Sequence, residues 1–177
     1  ELTPKPSTPE ALMALIAEMI AAHEPFDRVS VGFPGVIMHG VTKNAPNLGT
    51  EAWAGFELEK AIAALTHKPT RVVNDAELQG YGVIEGRGVE MVLTLGTGFG
   101  TGLYTDGHLV PNLELGHHPF AKKKTYEDLV CEAELLRIGK KRWRKHVTRI
   151  IDTLERIFNY DLLHIGGGNA KKLKEPF

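Results

Sequence analysis

Cys131 is the only cysteine in the sequence. No disulfide framework can therefore close within one chain, and no cysteine-rich zinc site can be assembled. Such thiol usage suits a reducing compartment, and a cytoplasmic location is expected. Long apolar runs are missing as well: no segment has the length or apolarity to span a bilayer, and no signal peptide is expected. Neither sign of charge is in excess. With 21 Lys and Arg against 22 Asp and Glu, the formal net charge is -1, which argues against a general nucleic-acid or membrane binder. Neither is expected as a partner. Internal repeats and low-complexity tracts are absent. What remains is 42% hydrophobic and 24% charged, ordinary proportions for a globular protein with enough chain for one domain or two small ones.

The most informative stretch runs from Met91 to Pro119. A short apolar run, Met91 to Leu95, enters a loop of alternating glycine and threonine from Gly96 to Gly102. Leu103-Tyr104 then turns at Asp106-Gly107, a dipeptide suited to the positive φ angles of a tight hairpin. A polar cluster follows, with Asn112, Glu114, His117 and His118 framed by Pro111, Gly116 and Pro119. Glycines let backbone N–H groups approach an anion, and threonine hydroxyls add donors beside them. A phosphate cradle beside a carboxylate and an imidazole outlines a phosphoryl-transfer site. Two better-known glycine loops are excluded. No Lys follows as in G-x-x-x-x-G-K-[S/T], and G-x-G-x-x-G is not matched, because strand-turn-strand follows where a dinucleotide fold needs a helix. A glycine-rich hairpin without a ligand is the plain alternative.

Elsewhere, Thr8-Pro9 reads as the start of a helix whose apolar residues Leu12, Leu15, Ile16, Met19 and Ile20 recur to His23, before Pro25. Val29 to Phe33 reads as a strand running into Pro34-Gly35, and the segment from there to Gly49 reads as irregular. A second helix begins near Phe56. The short strand Arg71 to Val73 leads into Asn74-Asp75-Ala76 and a third helix to about Glu85. Asp75 at that junction is either a helix cap or a base at the sheet edge facing a bound hydroxyl. One helix is predicted over 126–138. A longer one follows, with a stripe of Trp143, Val147, Ile150, Ile151, Leu154 and Phe158. Its cations, Lys140, Lys141, Arg142, Arg144, Lys145 and Arg149, read first as a solvated face and second as a groove for a polyanion. Leu162 to Ile165 is a strand entering Gly166-Gly167-Gly168, with a helix starting near Asn169, a place for a nucleotide or phosphate.

Taken together these motifs resemble the ROK family of sugar kinases within the actin-like ATPase superfamily. Asn74-Asp75-Ala76 is similar to its N-D-A motif, and Gly96 to Gly102 to its G-T-G-x-G phosphate loop. Glu114-Leu115-Gly116-His117 is similar to E-L-G-H, and Gly166-Gly167-Gly168 to the late glycine turn at the nucleoside. The four occur in family order. The run from Leu109 to His117, the Trp-containing basic helix and the Leu162 to Gly168 turn resemble the polyphosphate/ATP glucokinase branch within it.

The resemblance implies an α/β, actin-like (ribonuclease H-like) two-domain sugar kinase fold, with a partial N-terminal domain over 1–88 and a C-terminal domain over 89–177. It implies transfer of a phosphoryl group from polyphosphate, ATP or both, with Mg²⁺, to the 6-hydroxyl of glucose or a related hexose. Asp75 would be the general base. Gly35, Asn47, Asn74, Glu114 and His117 would join Asp75 in binding the sugar. Gly96, Thr97, Gly98, Gly100, Thr101, Gly166, Gly167 and Gly168 would hold the donor. Many members bind zinc through a Cys-rich loop after E-L-G-H; that loop is absent here, so no zinc is expected and His117 is expected on the sugar. A homodimer is expected. The family's first phosphate loop, Asp-x-Gly-Gly-Thr on an opening hairpin, is also absent, as are the last helices. The chain alone is therefore expected to have little kinase activity. The alternatives are a sugar-responsive regulator, although no helix-turn-helix is present, and a non-catalytic sugar-binding remnant.

Overall fold

The computed structural model describes residues 1–173. The chain forms two compact units, Glu1–Leu78 and a second that begins at Gln79. In the first, α1 (Pro9–Ala21) starts as its sequence dictates: Thr8 Oγ1 accepts the Ala11 N–H at 3.3 Å and proline occupies the first turn. It ends two residues before His23. Leu12, Met13 and Ile16 pack on the core, whereas Met19 is 44% exposed, so the expected stripe is narrower than its periodicity implies.

Strand β1 (Val29–Phe33) follows. The segment expected to be irregular instead holds a hairpin, β2 (Ile37–Met38) and β3 (Val41–Thr42), closed by His39 and Gly40 at φ 53 and 75°. It also holds the short helix α2 (Thr50–Trp53). Helix α3 (Leu58–Thr66) leads to β4 (Thr70–Asn74), which pairs in parallel with β1 from Val29–Thr70 to Phe33–Asn74. The outer N–H of β4 at Val72 is satisfied by the Glu59 carboxylate at 2.9 Å. Helix α4 (Asp75–Gly80) is much shorter than expected. Gly80 carries no side chain because a Cβ there would collide with the Tyr104 hydroxyl, and the chain beyond tightens into turns. Phe33, Ile37, Trp53, Leu58, Ile62 and Val72 form the core of this unit.

The second unit is built on a four-stranded sheet. Its strands are β5 (Val89–Leu95), β6 (Phe99–Thr105), β7 (His108–Val110) and, late in the chain, β10 (Leu162–Gly166). Asp106 and Gly107 close the β6–β7 hairpin at φ 48 and 77°, as the dipeptide predicts. The glycine-threonine stretch is loop only over 96–98. Gly100, Thr101 and Gly102 lie in β6, paired with Thr94, Leu93 and Val92. Glycine is disfavoured in strands, but here its lack of a side chain makes room: a Cβ on Gly102 would lie 2.8 Å from the Tyr104 hydroxyl.

A 3₁₀ turn (Leu115–His117) and the hairpin of β8 (Pro119–Ala121) and β9 (Lys124–Thr125) lead to the helices. The helix predicted over 126–138 is two, α5 (Tyr126–Val130) and α6 (Glu132–Ile138), parted at Cys131. The break has a tertiary cause: the Glu132 N–H donates to the Gly96 carbonyl at 2.9 Å. Helix α7 (Lys140–Phe158) then lays Trp143, Val147, Ile150, Ile151 and Leu154 on the sheet, and β10 (Leu162–Gly166) pairs in parallel with β5. Beyond Gly168 the expected helix is, over the described residues, a 3₁₀ turn, Ala170–Lys172.

Candidate active site

At the carboxyl end of β4, a single asparagine decides what the neighbouring aspartate is free to do. Asn74 Oδ1 accepts the N–H groups of Ala76 at 2.8 Å and Glu77 at 3.4 Å, while Glu77 Oε2 accepts the Asn74 N–H at 3.3 Å. This reciprocal pair is a capping box, so the cap of α4 is Asn74. Asp75 is the first helical residue. It is exposed, and its Oδ1 accepts the adjacent Ala76 N–H at 2.9 Å. Asn74 Nδ2 also donates to the Gly35 carbonyl at 3.3 Å, bringing two predicted sugar-site residues together. Gly35 is buried against Asn44, whose backbone carbonyl would collide with any Cβ there and whose Oδ1 accepts the Val36 N–H at 2.9 Å. Asn44 was not among the residues expected at the sugar. Asn47 lies apart from this cluster, exposed in the turn after Ala45.

In the second unit the two glycine segments meet at the ends of the parallel strands β5 and β10. Gly167, at φ 85°, lies so close to Leu95 that a Cβ would strike its backbone. Asn169 fastens the two. It is 2% exposed, its N–H donates to the Leu95 carbonyl at 2.9 Å, and its Nδ2 donates to the Gly96 carbonyl at 3.2 Å. The sequence signalled Asn169 only as a helix start. Gly96, Gly166 and Gly168 face open space, and Thr97 is exposed. The Gly96 N–H donates to the Gly98 carbonyl at 3.1 Å, and Thr101 is buried within β6. Strand ends in α/β folds, with backbone amides and glycines, are the sites where phosphates bind.

Glu114 precedes the 3₁₀ turn and His117 ends it, with Glu114 Oε2 3.9 Å from His117 Nε2. Asn112 and Glu114 take φ of 65 and 23°, which side chains other than glycine rarely adopt. Gly116 seats this turn against β6, since a Cβ would lie 2.6 Å from the Phe99 carbonyl. Glu127, another residue the sequence did not mark, joins the turn to the glycine loop. Its Oε2 accepts the Phe99 N–H at 2.9 Å, and it packs so near Gly98 that a Cβ there would come within 2.5 Å. The first turn of α5 is held by its own capping box, Thr125 with Asp128. Hydrogen bonds from the Thr125 N–H and side chain keep the Asp128 carboxyl below its ordinary range.

Among the described residues no three His, Cys, Asp or Glu side chains converge on one point. The most perturbed carboxylate lies away from both glycine segments. Glu90 is fully buried; burial alone would raise its pKa, but N–H groups of Glu85, Gly86 and Arg87 and the His164 ring lower it to about 2. It fixes the turn before β5.

The sequence matches the ROK family over residues 1–132. It is 32% identical to the polyphosphate glucokinase of Mycobacterium leprae (strain TN) across 97% of the chain and 55% of that protein. Against the polyphosphate glucokinase of Mycobacterium tuberculosis (strain CDC 1551 / Oshkosh) the identity is 33%, across 97% and 67%. The chain thus spans between about half and two thirds of these relatives' length. Among solved structures, the inorganic polyphosphate/ATP-glucomannokinase of Arthrobacter sp. strain KM superposes with a TM-score of 0.80 at 30% identity, over 97% of this chain and 74% of that one. The ROK hexokinase of Thermus thermophilus gives 0.74 at 18% identity, over 98% and 74%, a likeness of fold. No described helix is long and apolar enough to cross a membrane.

Proposed function

The chain belongs to the ROK family and has its actin-like α/β fold, and from that premise we propose that it phosphorylates the 6-hydroxyl of glucose or a related hexose, with polyphosphate, ATP or both as donor. The observation that carries this reading is the division of labour at the end of β4. Asn74 caps the helix, so the exposed Asp75 carboxylate is left to accept a proton. A base hydrogen-bonded to the attacking hydroxyl contributes about 10²–10⁴ in rate. Asn74, Glu114 and His117 bind the sugar hydroxyls, with Gly35 shaping the backbone beside Asn74 and Asn47 as an outer contact. Sites that pair with hydroxyls reject analogues lacking them, which is the basis of sugar selection.

The glycine segments Gly96 to Gly98 and Gly166 to Gly168, open at Gly96, Gly166 and Gly168, receive the donor phosphates together with Thr97. Gly100 and Thr101 support that loop from within β6. A Mg²⁺ ion bound together with the donor would offset the charge of its phosphates. The similarity to a polyphosphate glucokinase and to a polyphosphate/ATP-glucomannokinase supports the choice of donors and sugars.

The test is a coupled assay for hexose 6-phosphate with glucose or mannose and either ATP or polyphosphate. It is run on this chain and on the same chain preceded by a segment carrying Asp-x-Gly-Gly-Thr. Turnover in the extended form, and little in the chain alone, is the expected result. Hexose binding without product in both forms would instead identify a regulator or a binding remnant.

A further inference from the structure

Helix α7 begins against its own dipole. Lys140, Lys141 and Arg142 fill its first turn, where no acidic residue offsets them, and Lys145 follows one turn on. Positive charge at a helix N-terminus is unfavourable. Among the described residues none of these four is in an ion pair. Lys141 and Lys145 are exposed and stand four positions apart, on the face opposite the buried Trp143, Val147 and Leu154.

The helix is also tied to the glycine segments by a relay of hydrogen bonds. Arg144 Nε donates to the Lys172 carbonyl at 2.6 Å, Lys172 Nζ donates to Asn169 Oδ1 at 2.6 Å, and Asn169 Nδ2 donates to the Gly96 carbonyl. Arg144, next to Lys145 in the helix, and Lys172 therefore connect the cation-rich start of α7 to the glycine loops.

We infer that Lys141 and Lys145, with the turn at Lys172, form a track for the trailing phosphates of a linear polyphosphate whose reacting end sits at the glycine loops. This rests on the proposed reading of those loops as the donor side. The spacing suits a chain with a charge on every phosphate: at ~1.5 Å per residue, Lys141 and Lys145 stand about 6 Å apart along the helix axis. ATP ends after three phosphates and a nucleoside, so it gains nothing from cations that lie beyond the loops. The track thus separates the two donors by length. Near-neutral net charge leaves these cations as a local feature and not part of a general polyanion surface.

The experiment compares the parent with Lys141→Glu/Lys145→Glu and Lys141→Gln/Lys145→Gln, using long-chain polyphosphate, tripolyphosphate, ATP and a single-stranded DNA oligonucleotide as probes. Binding is followed by calorimetry over a salt series. The glutamate variant accords with the helix dipole, and circular dichroism checks that the fold is kept. Long-chain polyphosphate should bind at least about tenfold more weakly to the glutamate variant, with a shallower salt dependence, because fewer counterions are released. Tripolyphosphate and ATP should stay within about twofold, as expected for distant surface charges. Equal losses for ATP, unchanged long-chain binding, or DNA binding that matches polyphosphate in both affinity and loss would each overturn the track. Selective loss of long-chain binding, with no hexose phosphate formed from any donor even in the form extended by the Asp-x-Gly-Gly-Thr segment, would sustain the track and sink the kinase reading.

Discussion

Replacing Asp75 by Asn separates chemistry from structure at a single atom. The bond from the Ala76 N–H to Oδ1 survives the change, and the helix cap belongs to Asn74. The variant is expected to keep its unfolding midpoint and hexose affinity while kcat in the active form falls by about 10²–10⁴. Near-parental turnover would remove Asp75 from the role of base. Glu114→Gln and His117→Ala should act on the other term, weakening hexose binding by about 1–3 kcal/mol each as hydroxyl partners are lost; unchanged affinity in calorimetric titration of both would count against the sugar cluster. The sequence marked Asp75, Glu114 and His117 by motif, but not which side chain would cap α4, since Asn and Asp are both good caps and stand side by side. Asn169 and Glu127 escaped for a related reason. Each joins loops far apart in sequence, and neither residue type is unusual where it stands.

At the scale of elements, the turn over 85–88 depends on one buried carboxylate. Glu90 has an ordinary pKa of 4.5 and a folded value of about 2. The folded state therefore binds fewer protons than the unfolded chain between those values, so the contribution is complete above about 4.5 and is lost as pH falls through about 2. Glu90→Gln should lower stability at neutral pH by about 1–3 kcal/mol, because buried N–H donors meet a weaker partner that brings N–H groups of its own. It should also flatten the acid limb of stability measured by urea unfolding from pH 6 to 2 (about the range of carboxylate titration). An acid limb as steep as the parent's would assign that proton uptake elsewhere. Elements with a strong local signal were legible: α1 from Thr8-Pro9, the Asp106-Gly107 hairpin, and α7 from its apolar stripe. Those set by partners were not. Gly100 to Gly102 form strand because β5 and Tyr104 require it, and the helix at 126–138 breaks because the Gly96 carbonyl captures the Glu132 N–H.

At the scale of the whole molecule, family membership was legible from four short motifs in order, while the division into units was set by two separate cores. Each core encloses one of the sequence's two tryptophans. Trp53 is fully buried beside Phe33 and Phe56 and donates Nε1–H to the Ser7 carbonyl at 2.7 Å; Trp143 is fully buried and donates to the Val130 carbonyl at 2.8 Å. That distribution gives each unit its own fluorophore. In Trp143→Phe the emission comes from the first unit alone, and in Trp53→Phe from the second. Each replacement leaves one carbonyl without its donor, a cost of about 1–3 kcal/mol to be corrected for. Denaturant titration should red-shift the Trp53 signal at the lower concentration, since its unit rests on a two-stranded sheet and the other on four strands. Coincident curves would mean that both cores melt as one cooperative body. Intrinsic emission would then report in real time which half of the chain responds when glucose or a polyphosphate is added.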